Sequence, residues 1–178
     1  MEEPCFFELS KDLKTHCCNT RDLSILLGIK YGLNESELNQ LYIASEYHDI
    51  GKIKIPNEIL NKPTKLSEEE FEMIKQHTKF GYEITLNLFT EEISKAIYYH
   101  HENENGSGYY HLSSSEIPIY SKIIHIADVY DALKVKRCYK SEWAEKAILD
   151  YFEENNGVLF DKDLTELFFE ILKEKRTI

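Results

Sequence analysis

Seven residues of types that bind metal ions stand at the ends or along single faces of segments with helical periodicity. Five of them are histidines, out of seven in the chain, and two are aspartates: His16, His48, Asp49, His77, His100, His101 and Asp128. Each alone has a simpler interpretation, since a His-Asp pair often caps a helix and a lone histidine is usually a hydrogen-bonded core residue. Burying so many ionisable groups without partners is costly, so the complete set favours one shared metal site that the fold must assemble.

Composition predicts an all-α fold. Glycine and proline are sparse, at 7 and 4 residues, while good helix formers such as leucine, glutamate and lysine are plentiful. The length of 178 residues fits a single domain, residues 1–178, with a sizeable core. No segment reads convincingly as a strand. We therefore predict a compact bundle of about seven helices.

Local signals indicate where several helices begin. Apolar residues recur at helical spacing from about residue 9 to residue 31. Asn34 with Glu37, and Ser67 with Glu70, have the spacing of capping boxes, in which a side chain and a backbone N–H at each position satisfy one another. Further helices are expected at about 91–101, from Pro118 onward, at about 142–152 and at about 163–173.

The net charge and the apolar segments of the sequence limit the classes of partner and location that we expect. The net charge of -11 argues against a DNA or RNA polymer as partner, because such a partner needs a basic footprint. A small anionic ligand is still compatible with this negative net charge if bound cations supply a local positive site. No apolar run approaches the length of a membrane span, and the acidic start lacks a signal-peptide core. We expect a cytoplasmic protein without a membrane partner, with its four cysteines reduced.

The chemistry of the set favours a transition-metal centre. Imidazoles and carboxylates without sulfur suit iron, manganese or zinc rather than a structural zinc finger. Asp49 directly follows His48, so one helix end offers both ligand types to one place, and Asp12 shares a helix face with His16. Two divalent cations held by two aspartates and a hydroxide leave a positive centre. Such a centre attracts a phosphodiester, polarises its oxygens and yields a nucleophilic hydroxide.

Longer motifs around these residues resemble the HD-GYP family, a branch of the HD metal-dependent phosphohydrolases. Residues 48–56 read HDIGKIKIP, residues 100–110 read HHENENGSGYY, and residues 126–133 read IADVYDAL. The resemblance covers nearly the whole chain. It implies the helical HD-domain fold and hydrolysis of cyclic di-GMP to pGpG, GMP or both, by a metal-activated hydroxide.

The resemblance also implies a binuclear or trinuclear centre, with iron the first choice and manganese or zinc as alternatives. One metal would be held by four residues: His16, His48, Asp49 and Asp128. Asp49 would bridge to a second metal held by three histidines: His77, His100 and His101. Asp12 falls where some members place a glutamate that serves a third metal, and aspartate is shorter by one methylene.

Further roles follow from the same resemblance. Asp49 and Lys52 are expected to be catalytic, with Lys52 stabilising charge on the phosphoryl oxygens. Arg137 and Lys140 match positions that contact ligand phosphates, although a solvated basic cluster after a helix would look the same. Glu102 and Asp131 are expected to orient the ligating histidines.

The loop that names the family departs from its pattern. Gly108, Tyr109 and Tyr110 stand where the family has Gly-Tyr-Pro, and proline would stiffen the loop. All three are predicted substrate contacts, and the loop is a candidate surface for a sensory or signalling partner. Tyr110 suggests either a more mobile loop or a ring that stacks on a guanine base. An exposed loop tyrosine is the third interpretation.

We expect an enzyme, a cyclic-dinucleotide phosphodiesterase, with three alternatives kept open. The first is a module that binds metal and cyclic dinucleotide without turnover. The second is oxidative chemistry at a di-iron site, as in some HD-domain relatives. The third is hydrolysis of a different cyclic dinucleotide or nucleotide phosphate.

Overall fold

The computed structural model describes residues 9–134 and 143–175, and these residues are α-helical with no strand. Seven of their helices exceed one turn, as predicted, and α3 is a single turn. Two 3-10 segments, Ile50–Lys54 and Ser114–Glu116, connect them. The helices are α1 Lys11–Tyr31, α2 Glu35–Tyr47, α3 Asn57–Leu60, α4 Glu68–Thr85, α5 Glu91–Tyr98, α6 Ile119–Lys134, α7 Glu145–Glu154 and α8 Lys162–Lys175.

Both predicted capping boxes form. The backbone N–H of Glu37 donates to Asn34 Oδ1 at 3.1 Å, and the Asn34 N–H donates to Glu37 Oε2 at 2.8 Å. Ser67 and Glu70 make the same reciprocal pair, at 3.2 and 2.8 Å. These bonds satisfy N–H groups that the first turn leaves without helical partners, so each helix begins at a residue that its own sequence specifies.

The helix predicted at about 91–101 ends earlier, at Tyr98. His100 and His101 therefore follow the helix in a turn instead of extending it. The reason is visible at the carbonyl of Ile97, which accepts a hydrogen bond from His100 Nδ1 at 2.7 Å. A side chain thus satisfies one of the carbonyls that a helix end leaves without a backbone donor.

Helix α6 is the most deeply buried part of the described fold. It packs against α1 and α5, with further contacts to α7 and α8. Its aliphatic residues Ile123, Ile124 and Ile126 have no exposed surface, so Asp128 on the same helix is carried into the interior.

None of the described helices combines the length and apolar character that crossing a lipid bilayer requires.

A glycine contact joins the 3-10 segment after Asp49 to helix α4. A Cβ placed on Gly51 would lie 2.0 Å from the carbonyl oxygen of His77 and 2.5 Å from the backbone nitrogen of Gly81. No side chain fits in this space, because the atoms it would meet belong to a helix backbone. The close approach holds Asp49 beside His77.

We predict that Gly51→Ala destabilises the protein by about 3 kcal/mol or more, because the new methyl group must displace the α4 backbone. Urea unfolding followed by circular dichroism measures the loss. Gly28→Ala is the matched control: its Cβ would meet only side-chain ends, the nearest being Leu41 Cδ2 at 2.7 Å. That change should cost no more than about 1 kcal/mol, since alanine also favours the helix. Equal losses in the two variants would contradict the importance of the Gly51 contact.

Candidate metal centre

The structure brings the seven predicted ligand residues into one cluster. The described residues contain three groups of candidate ligands, and within each group the donor atoms lie within 4.8 Å of one another. His48 belongs to two of these groups, and so does His100. The groups are His77, His100 and His101; His16, His48 and Asp49; and His48, His100 and Asp128. Three helices, α1, α4 and α6, and the turns after α2 and α5 supply them. The cluster therefore has donors enough for more than one cation.

Three of the histidines are fixed by the same local hydrogen bond. His48 Nδ1 lies 2.8 Å from the carbonyl of Ser45, three residues earlier. His77 and His100 repeat the arrangement with the preceding carbonyls, each at 2.7 Å. A carbonyl oxygen can only accept, so each Nδ1 carries the proton and each Nε2 keeps its lone pair. The backbone thus sets the tautomer that presents Nε2 to a metal.

Two of these lone pairs face one another. His77 Nε2 and His100 Nε2 are 3.4 Å apart, and the protons of both rings are committed to backbone carbonyls. His48 Nε2 and Asp49 Oδ1 are buried and have no hydrogen-bond partner. Buried acceptors that converge without a donor are costly unless a cation lies among them. The residues present therefore fit a bound metal.

Burial keeps four imidazoles neutral. It lowers the pKa of His48, and that of His77 to about 4. It also holds the pKa values of His100 and His101 well below the usual range, with help from neighbouring imidazoles. The neutral form is the one that coordinates a metal, so these side chains are ready to bind near pH 7 without losing a proton.

Asp49 presents its two oxygens to different histidines. Oδ1 lies 3.4 Å from His77 Nε2, while Oδ2 lies 3.5 Å from His48 Nε2 and 3.8 Å from His16 Nε2. Oδ2 also accepts a hydrogen bond from the Lys52 ammonium. Burial alone would raise the pKa of Asp49, but Lys52 and the surrounding imidazoles lower it well below its usual range. The carboxylate is therefore ionised and faces both halves of the cluster.

His16 is held by carboxylates on both sides. Its Nδ1 lies 2.6 Å from Asp131 Oδ2, and its Nε2 lies 2.9 Å from Asp128 Oδ1. Burial acts to lower the pKa of His16, but the two carboxylates outweigh it and raise the pKa to about 9. Asp131 thus contacts the histidine that it was predicted to orient. Asn19 donates to the other oxygen of Asp131 at 2.9 Å.

Asn19 was missed by the sequence analysis. Its position three residues after His16 on α1 places it on the same helix face, and this spacing is the signal that could have indicated a supporting role. His125 on α6 also approaches the cluster. Its Nδ1 lies 3.0 Å from the carbonyl oxygen of His100, and its Nε2 is buried without a hydrogen-bond partner.

The structure places Glu102 against the Gly-Tyr-Tyr loop. Its buried carboxylate accepts hydrogen bonds from the backbone N–H of Tyr110 at 2.6 Å and of Leu112 at 2.9 Å, and its role in orienting a ligating histidine stays a prediction. Buried backbone N–H groups need acceptors, and Glu102 supplies two at once. Gly108 makes the close approach feasible, since a Cβ there would lie 2.5 Å from Glu102 Cα. Glu102 therefore fastens the Gly-Tyr-Tyr loop next to His101.

Tyr110 is packed against the protein and does not stand free over the cluster. Its ring centroid lies 4.4 Å from that of Tyr98, and its hydroxyl lies 2.7 Å from Thr78 Oγ1. These contacts argue against a role in stacking on guanine and hold the loop to α4 and α5 without proline. Tyr109 is the loop residue that faces the cluster, with its ring centroid 4.7 Å from that of His101.

Three other predicted site residues are not part of the cluster as described. Asp12 is exposed and belongs to none of the ligand groups found in the described ranges. Arg137 and Lys140 lie outside the described residues. Their predicted contacts with metal or phosphate therefore stay predictions.

Comparison with known proteins places the chain in a family. Residues 5–164 match the family model described as HD domain. The chain is 40% identical to the 3'3'-cGAMP-specific phosphodiesterase 2 of Vibrio cholerae, over 79% of this chain and 28% of that protein. It is 35% identical to a cyclic di-GMP phosphodiesterase of Thermotoga maritima, over 92% of this chain and 46% of that protein. The chain spans less than half the length of these curated relatives.

A solved structure shares the fold. The protein Bd1817 from Bdellovibrio bacteriovorus, described as an HDG"Y"P protein, superposes with a TM-score of 0.75 at 18% identity, over 94% of this chain and 55% of that one. The chain thus belongs to the HD-domain family. Within it, the relatives and the motifs identify it as a member of the HD-GYP branch, which confirms the predicted resemblance. HD-domain phosphohydrolases bind divalent metals.

We predict that Asp49→Asn weakens divalent-metal binding. After chelation, adding Mn²⁺ should raise the melting temperature of the wild type by about 5–10 °C, because ligand at a hundredfold excess over Kd stabilises a protein of this size by about 2.7 kcal/mol. The rise should be much smaller in Asp49→Asn, and elemental analysis should find less bound metal. Asp163→Asn, an exposed aspartate on α8, is the control and should respond like the wild type. The same rise in Asp49→Asn would contradict the assignment.

We further predict that Glu102→Gln loosens the loop. The amide can accept only through one oxygen, so one of the two buried N–H groups is left facing an NH₂ group. Amide hydrogen exchange at Tyr110 and Leu112 should speed up roughly tenfold or more, since tenfold corresponds to about 1.4 kcal/mol of lost protection. Glu83→Gln, at an exposed position on α4, should leave both amides unchanged. Unaltered exchange in Glu102→Gln would refute this anchoring role.

Proposed function

We propose that this chain is a single catalytic domain that hydrolyses a cyclic dinucleotide, with cyclic di-GMP as the first candidate. One observation carries the proposal: a buried cluster of imidazole and carboxylate donors in which Asp49 faces histidines on two sides. The relatives add support, because their names assign them cyclic di-GMP or 3'3'-cGAMP as substrate. Both substrates are cyclic purine dinucleotides with phosphodiester bonds.

The candidate ligands form two sets on either side of Asp49. His16, His48 and Asp128 would hold one ion together with Asp49, and His77, His100 and His101 would hold a second. Nitrogen and oxygen donors without sulfur suit iron, manganese or zinc, and the resemblance to HD-GYP proteins makes iron the first choice. When bound, such ions supply Lewis acidity towards a phosphoryl oxygen and lower the pKa of a coordinated water.

The described residues alone do not make a positive site. Within residues 9–134 and 143–175, three aspartates, Asp49, Asp128 and Asp131, face two cationic side chains, Lys52 and His16. A phosphodiester is an anion, so these groups do not attract it without further positive charge. Substrate binding, and not only the chemical step, should therefore depend on divalent metal.

Lys52 is one of the two cationic side chains that the described residues place at this site. Its side chain is only 15% exposed and contacts Asp49. An ammonium at the edge of a buried centre is well placed to stabilise the negative charge that grows on phosphoryl oxygens during hydrolysis. Asp131 keeps the His16 ring in position.

We predict metal-dependent formation of pGpG or GMP from cyclic di-GMP. Protein loaded anaerobically with Fe²⁺ or Mn²⁺ should show turnover that chelation abolishes, measured by chromatography of the products. Lys52→Met should keep its metal but lose about 10²–10³-fold in kcat, as expected when one charge-stabilising donor is removed. Lys54→Met, two residues along the same 3-10 segment, is the matched control and should retain activity.

The alternatives give different results in the same assay. Saturable binding of cyclic di-GMP without product would identify a binding module and overturn the enzymatic proposal. Consumption of oxygen in place of hydrolysis would identify oxidative chemistry. Parallel reactions with 3'3'-cGAMP compare the two substrates named among the relatives.

A further inference from the structure

A line of aromatic rings leads away from the metal centre. The Tyr109 ring centroid lies 4.7 Å from that of His101, with the planes tilted by 38°. On its other side, Tyr109 lies 6.3 Å from the ring centroid of Phe71, edge to face at 86°. Phe71 stands on α4 six residues before His77. The same helix therefore carries a candidate metal ligand at one point and an aromatic surface further out.

Phe71 is exposed and borders a cavity. The residue is 44% exposed, so a large part of its apolar ring is in contact with water, which is unfavourable. It lines a cavity of about 630 Å³ between α4 and the segment from α3 to α4. Apolar side chains contribute much of the lining: Ile59, Leu60, Pro63, Leu66 and Ile74. A cavity of this size and character is typical of small-molecule sites.

A positive charge lies between the two rings. Lys75 Nζ is 5.2 Å from the Phe71 ring centroid and 5.4 Å from that of Tyr109, within the range of cation–π attraction. Glu72 pairs with the same ammonium at 2.6 Å and keeps it there. An apolar ligand would not pair with the Lys75 ammonium, and inorganic phosphate would not stack on the aromatic rings. A ligand that has both aromatic bases and phosphates can interact with the ammonium and with the rings.

We propose that Phe71 is the stacking surface for one purine base of a cyclic dinucleotide, and that the cavity beside it receives that base while a phosphate lies at the metal centre. The inference rests on the proposed function and deepens it by naming where the base binds. Lys75 then lies beside the sugar–phosphate part of the ligand. Aromatic side chains bind bases in this way because every base has a π-face.

The test compares binding of a ligand that has purine bases with binding of a ligand that has none. Phe71→Ala should weaken binding of a phosphorothioate analogue of cyclic di-GMP to the Mn²⁺-loaded protein by roughly 5- to 100-fold, the usual loss when a stacked base loses its aromatic partner. The analogue resists hydrolysis, so binding is measured by calorimetry whether or not the protein is an enzyme. Binding of inorganic phosphate, which has no ring to stack on Phe71, to the same Mn²⁺-loaded protein should be unchanged.

Two further variants separate stacking from a general effect on the fold. Phe71→Trp should retain affinity, and its added indole fluorescence should be quenched as the analogue binds; the wild type, with its one tryptophan, gives the baseline. Met73→Ala is the matched control, since Met73 is on the same helix, is 40% exposed and does not line the cavity. It should bind the analogue like the wild type.

Each outcome decides the inference. If the wild type binds the analogue and Phe71→Ala binds it equally well, the base site is wrong while the proposed function stands. If Phe71→Ala loses affinity for the analogue and for inorganic phosphate to the same extent, its role is structural and the base site is again wrong. If the wild type binds no cyclic dinucleotide with any metal, the proposed function fails together with this inference.

Discussion

The candidate site depends on one repeated interaction, a histidine Nδ1–H donated to a backbone carbonyl three residues earlier. His48, His77 and His100 all make it. In two of the three cases the carbonyl belongs to the last turn of a helix, where acceptors lack backbone donors. One bond thus finishes the helix, fixes the tautomer and turns Nε2 inward. The convergence of Nε2 lone pairs, as between His77 and His100, then makes a cation the natural occupant.

The fold brings these helix ends together through close contacts at two glycines, Gly51 and Gly81, where a side chain would not fit. At Gly51 the 3-10 segment touches the α4 backbone, and at Gly81 a Cβ would lie 2.8 Å from Ile97 Cγ2 on α5. Asp49 precedes the first contact, His77 lies beside it, and His100 follows α5. The glycines therefore set the spacing of three candidate ligands. A larger residue at either position would separate donor atoms that must stay within a few ångströms of one another.

Sequence alone predicted what is local or chemical. The capping boxes at Asn34 and Ser67 depend on residues three apart, and the donor set could be recognised from residue type and motif. The role of Glu102 and the packing of Tyr110 were not predictable in the same way. Both depend on which distant groups the fold brings near, namely the N–H of Leu112 and the side chains of Thr78 and Tyr98. A motif identifies a residue type at a position, but not the direction in which a loop folds back.

Glu102 connects the two parts of the site. It directly follows His101, a candidate ligand, and its carboxylate holds the loop that presents Tyr109 to the His101 ring. Movement of the loop would disturb the turn that carries the ligand, and movement of the turn would shift the aromatic surface. The aromatic ring of Tyr109 and the candidate metal ligand His101 are thus joined by one short connection, in which Glu102 is buried. This explains how the chain can lack the proline of the family pattern: the stiffness that proline would give to φ comes instead from Glu102 and from the two contacts of Tyr110.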